Sequence, residues 1–84
     1  KWANDHNIIS WGTDQFATDP LPFEEPGLAL PMHIEMLTKA GIRLMENVYM
    51  DEIVRDKIYE FCILGLPLKI KGGTGSPLGL IALI

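Results

Sequence analysis

Among the 84 residues of this chain, His33 and Glu46 have the types that could share a piece of chemistry. An imidazole nitrogen is a borderline ligand and a carboxylate oxygen a hard one, the mixture that holds zinc or manganese in hydrolytic sites. The sequence between them predicts that they meet. Pro31 suits a first helical turn, Met36, Leu37 and Ala40 share a face with Met32 or His33, and Gly41 is placed to terminate the run. Those signals predict a helix over Met32–Ala40 with His33 in its opening turn. Ile42–Asn47 then alternates as a strand, with Ile42, Leu44 and Glu46 pointing one way and Arg43, Met45 and Asn47 the other. From His33 to Ala40 a helix advances roughly 10 Å, and from Ile42 to Glu46 a strand advances roughly 13 Å. With Gly41 reversing the chain, both side chains return to one end. The residue types alone leave a plainer alternative open: a partly exposed histidine at a helix start, and a strand-end carboxylate meeting Arg43 or solvent.

The surrounding elements must carry this pair. Ile8–Trp11 is β-favouring and ends at Gly12-Thr13-Asp14, which predicts a short buried strand running into a polar loop. From Asp14 to Pro31 the chain holds Pro20, Pro22, Pro26 and Gly27, so neither helix nor central strand persists there. Loops of that length are functional or disordered. Tyr49–Lys57 predicts a short charged helical connection, and Tyr59–Leu66 a buried strand, with Pro67 marking an edge or irregularity. After Leu68–Lys71 comes the loop Gly72–Pro77 and a last strand over Leu78–Ile84.

Other polar candidates are weaker. The glycines from Gly72 to Ser76 lack a Gly-Lys-Ser/Thr ending and a following helix, so they predict a tight connection between strands rather than a phosphate cradle. Asp14 is read as a turn-stabilising residue and His6 as a solvated loop residue. Trp11 and Phe16 could line a pocket, but aromatic residues beside a strand more often fill a core.

Composition sets outer bounds. A chain this short supports at most one small domain with a thin core, yet 48% of it is hydrophobic and its mean hydropathy is +0.16. That surplus predicts a larger partner surface. The longest uninterrupted apolar stretch, Leu80–Ile84, is far below the ~20 residues of a membrane-spanning helix. A net charge of -4 with scattered basic residues argues against nucleic acid. Cys62 lies in the apolar run Phe61–Leu64, where a cysteine behaves as a small buried hydrophobe, and as the single cysteine it has no intrachain partner. A reducing, cytoplasmic setting is expected. Lys1-Trp2-Ala3-Asn4-Asp5 shows neither an initiator methionine nor a signal-peptide pattern, so the chain is read as a fragment.

Beyond these properties, the order of the chain's motifs is specific. Trp2-Ala3 with Ile8-Ile9-Ser10-Trp11-Gly12-Thr13-Asp14, then Pro31-Met32-His33, Gly41-Ile42 through Met45-Glu46-Asn47, Leu66-Pro67-Leu68-Lys69-Ile70, and Gly72-Gly73-Thr74-Gly75-Ser76-Pro77 with Ile81-Ala82-Leu83 cover nearly the whole chain. In that order they resemble the C-terminal half of cyclase-family metal-dependent hydrolases, the group that includes bacterial kynurenine formamidase and isatin hydrolase-like enzymes. The resemblance implies an α/β fold, residues 1–84 being the C-terminal part of one mixed-sheet domain of the swivelling β/β/α type. It also implies that His33 and Glu46 are metal ligands, for zinc or manganese. The remaining ligands and the proton-transfer histidine would come from an upstream motif His-x-Gly-Thr-His-x-Asp, which these residues lack. No catalytic residue is therefore expected within the chain itself, and the chain alone should be inactive. One departure is Gly79, where the family often has arginine two residues after Ser-Pro.

What the resemblance implies for the whole protein is metal-assisted hydrolysis of an amide-type C–N bond in an aryl formamide, cyclic amide or imide. The partners expected are the N-terminal remainder, a small-molecule amide and further copies in a homo-oligomer, with no nucleic acid and no membrane. Two rivals stand beside it. The same scaffold could serve as a non-catalytic structural or assembly module, or could run a lyase or cyclisation reaction.

Overall fold

The computed structural model describes residues 1–19 and 31–84. Pro20, Pro22, Pro26 and Gly27, on which the expectation of an irregular loop partly rests, lie outside the described residues. The chain divides into two compact units, Lys1–Tyr49 and Met50–Ile84.

The first unit opens with helix α1, Trp2–Asp5. Its end is closed by Asn7, whose φ of 56° places it in the left-handed region that asparagine tolerates better than most residues. The amide of Asn7 donates to the Asn4 carbonyl at 3.2 Å and that of Ile8 to the Ala3 carbonyl at 3.0 Å. This pair of bonds is the Schellman pattern, with Ile8 and Ala3 its apolar contact. The sequence reading missed this helix because a single turn shows no apolar period, and Asn4-Asp5-His6-Asn7 resembles loop. His6, as expected, is exposed; its ring stacks on Trp2 with centroids 4.3 Å apart.

Strand β1, Ser10–Gly12, pairs in parallel with strand β2, Arg43–Met45, in the register Ser10 to Arg43, Trp11 to Leu44 and Gly12 to Met45. Parallel neighbours need a long crossover, and the segment containing helix α2, His33–Lys39, supplies it. The pairing runs on past the strands: Thr13 donates to Met45 at 3.0 Å, Val48 to Thr13 at 2.9 Å and Asn47 to Gln15 at 2.9 Å.

A helix over this stretch was expected, but α2 is π-wound, a form concentrated at functional sites. Gly41 ends it with φ at 69°, and the Ile42 amide donates to the Met36 carbonyl at 2.8 Å. That bond reaches one residue further than a Schellman bond, in keeping with the wider winding. Helix and sheet bury Ala3, Met36 and Ile42, the last only 2% exposed, with Ile8, Trp11, Met32, Ala40 and Leu44 packed around them. Trp11 is thus half-buried against this core, whereas Phe16 and Leu37 are exposed; the stretch Ile8–Trp11, expected as a buried strand, is only partly covered, with Ile9 exposed, because a two-stranded pair has a layer on one side alone.

The second unit begins with helix α3, Asp51–Arg55. Lys57 closes it at φ 53°, with Ile58 donating to Ile53 at 2.9 Å and Lys57 to Val54 at 3.2 Å. Strands β3, Cys62–Pro67, and β4, Leu78–Leu83, follow as an antiparallel ribbon running from Cys62 opposite Leu83 to Pro67 opposite Leu78. Pro67 occupies the strand's last position, where a missing N–H costs least. The Gly72–Pro77 segment is a connection between strands, as expected: the Ser76 hydroxyl accepts from the Leu68 amide at 2.8 Å and donates to the Pro77 carbonyl at 2.7 Å.

Tyr59–Leu66 was read as a buried strand and Cys62 as a buried thiol, but every residue of β3 is exposed, Leu66 by 86%, and Cys62 is free and exposed. A two-stranded ribbon buries neither face by itself; it needs a further layer.

The architecture is mixed α/β, with parallel pairing in one two-stranded sheet and antiparallel pairing in another among the described residues. No helix among them is long and apolar enough to cross a membrane.

Candidate functional site

The sheet of the first unit brings His33 and Glu46 together. Glu46 follows the last residue of β2, and Asn47, in the left-handed region at φ 55°, turns the chain out of the strand immediately after it. The Asn47 amide bond to Gln15 anchors that turn. His33 occupies the opening position of α2. Its Nε2 lies 3.3 Å from Glu46 Oε1, so the convergence anticipated from the helix and strand lengths is present. Both side chains are only partly exposed, 28% and 29%.

Two further residues, absent from the sequence-based candidates, hold this pair in place. Thr18 donates to Glu46 Oε1 from its amide at 3.1 Å and from its hydroxyl at 3.4 Å. Asp19, only 4% exposed, accepts from His33 Nδ1 at 2.5 Å through Oδ2, and from the Met32 amide through Oδ1. The His33 amide also donates to Oδ2, at 3.4 Å. One dipeptide therefore grips both members of the site. Burial pushes the Asp19 carboxyl upward, but hydrogen bonds from the His33 ring and from the Met32 and His33 amides, with the His33 charge, outweigh it and hold the group below its ordinary value. Sequence offered a faint signal: Thr-Asp before a proline is a turn former, and an aspartate with no partner nearby in sequence can still cap a distant helix.

These bonds fix what the ring can do. An ionised carboxylate only accepts, so Nδ1 carries the proton that Asp19 receives. In the neutral ring Nε2 then presents a lone pair, and it faces another acceptor, Glu46 Oε1. Two acceptors at 3.3 Å call for positive charge between or beside them, either a second proton on the ring or a cation. The separation is longer than the ~2.7–2.9 Å of a good charged N–H···O bond. It is close to the ~3.4 Å expected between two ligands each about 2.1 Å from a tetrahedral metal. The donor set of one imidazole and one carboxylate therefore fits a divalent ion of the zinc or manganese type.

Asp14 and His6, the other polar candidates, are exposed and form no part of this cluster. Among the described residues no group of three His, Cys, Asp or Glu side chains is arranged to hold a metal ion. No family model matches the chain, and neither a curated protein nor a solved structure matches it.

Proposed function

We propose that the chain is the C-terminal part of a cyclase-family metal-dependent hydrolase that cleaves an amide-type C–N bond, and that His33 and Glu46 are two of its ligands to zinc or manganese. The observation that carries this reading is the pair of acceptors, His33 Nε2 and Glu46 Oε1, 3.3 Å apart, the ring held by Asp19 through its far nitrogen and the carboxylate by two Thr18 donors on the same Oε1. A divalent ion, when bound, supplies Lewis acidity toward a carbonyl and lowers the pKa of a coordinated water. The chain's own residues hold and orient: His33 offers Nε2, Glu46 offers an oxygen, and Thr18 keeps that carboxylate turned toward the imidazole. Proton transfer to the leaving nitrogen falls to a histidine of the N-terminal remainder, beside the upstream His-x-Gly-Thr-His-x-Asp ligands.

The exposed apolar side chains of β3 and β4, among them Ile63, Leu64, Leu66, Ile81 and Leu83, support burial against that remainder and against further copies in a homo-oligomer. The exposed thiol of Cys62 fits a reducing, cytoplasmic setting. The test is turnover of aryl formamides, isatin-like cyclic amides and imides by the complete protein with added manganese or zinc. Hydrolysis of one class is expected; inertness toward all of them contradicts the reading.

The same geometry also suits a metal-free structural role, in which a doubly protonated His33 bridges the Asp19 and Glu46 carboxylates. Metal content separates the two, since a bridging imidazolium leaves no lone pair for an ion.

A further inference from the structure

Asp19 is buried, lies outside any recognised motif of the chain, and spends its two oxygens on different tasks. Oδ1 accepts from the Met32 amide and so closes the start of the helical segment, while Oδ2 accepts from the His33 ring at 2.5 Å. We infer that Asp19 is a positioning residue for the metal site: it fixes His33 as the Nδ1–H tautomer and thereby leaves the Nε2 lone pair free beside Glu46 Oε1. This inference rests on the metal-site reading above and adds the group that makes His33 a competent ligand.

A carboxylate with no proton cannot donate, so contact at 2.5 Å forces the ring proton onto Nδ1. A histidine ligand whose other nitrogen donates to a carboxylate has its tautomer and ring plane set and its basicity raised. The aspartate is also held rigidly: its burial and its bonds to the Met32 and His33 amides leave it little rotational freedom, so the orientation it imposes is preorganised.

Asp19→Asn separates orientation from capping. The amide keeps one acceptor oxygen, and that oxygen can still receive the Met32 N–H. Its NH₂ then faces His33 Nδ1, which must become the acceptor, and the proton moves to Nε2, where it blocks the ligand position. A purely structural aspartate would leave the cobalt affinity of the site unmoved.

The experiment uses the complete, metal-stripped protein and two readouts. The first is the side-chain nitrogen shifts of ¹⁵N-histidine at alkaline pH; the second is the affinity for cobalt(II) alone, followed by its visible absorption. Expected are the Nδ1–H tautomer for His33 in the unsubstituted protein, the Nε2–H tautomer in Asp19→Asn, and cobalt affinity weakened about 10- to 100-fold by that substitution. An Nε2–H tautomer in the unsubstituted protein overturns the inference without recourse to any variant, and so does an Asp19→Asn protein with unaltered tautomer and cobalt affinity. Absence of cobalt binding by the unsubstituted protein overturns the metal-site reading instead, and the nitrogen shifts then decide whether Asp19 sets the tautomer.

Discussion

Glu46 and His33 face each other because Thr18 donates to the very oxygen of Glu46 that meets the ring and Asp19 holds the ring through Nδ1, and these bonds have consequences that can be measured one residue at a time. Asp19 has its carboxyl pKa lowered by folding, so it contributes stability that is fully present above its unfolded value of 3.8 and is lost as pH falls through the lower folded value. In the metal-free protein, the gap in urea midpoint between unsubstituted protein and Asp19→Asn should therefore shrink as the pH falls below 3.8. A gap that widens on acidification contradicts this. Asn47 gives a second residue-scale prediction. Its left-handed φ of 55° is tolerable for asparagine and glycine but strained for a β-branched residue, so Asn47→Val should cost about 1–2 kcal/mol in denaturant melts while Asn47→Gly costs little. Because the turn at Asn47 positions Glu46, the valine variant should also bind metal more weakly.

At the scale of elements, helix α2 and the β1–β2 pair are what deliver the two side chains to one place. Gly41 is the hinge of that arrangement, and Gly41→Ala, at φ 69° with open space around the added carbon, should destabilise by about 1 kcal/mol through backbone strain rather than clash. Met36→Ala removes a side chain from the small core shared by helix and sheet and should cost about 2–5 kcal/mol. This much of the fold was legible in sequence because its signals are local: Pro31 stands just ahead of the helix, Gly41 follows its end, and Ile42 and Leu44 alternate behind it. The lengths of helix and strand, with a reversal at Gly41, then made it plausible that His33 and Glu46 meet, and the family resemblance singled the pair out. What was not legible depends on contacts distant in sequence. Nothing near Asp19 announces that it will pair with His33, and nothing near Thr18 announces Glu46. The exposure of β3 was missed for the opposite reason, since an apolar run states what a strand requires and not what covers it.

For the molecule as a whole, the two compact units differ in how well each buries its apolar residues. Lys1–Tyr49 encloses a core around Ile42, whereas Met50–Ile84 presents Leu66, Ile81 and Leu83 on an exposed ribbon. A surface of that kind is a liability alone and an asset in an assembly. Under the proposed function that assembly includes an N-terminal portion bearing further ligands, and its defining feature is a metal held at His33 and Glu46. The most direct measurement is elemental analysis of the complete purified protein, unsubstituted and carrying His33→Ala or Glu46→Gln. The account predicts zinc or manganese bound to the unsubstituted protein, and loss of most of it in each variant while the fold, followed by circular dichroism, is kept. Equal metal content in all three proteins, or none in any, contradicts it.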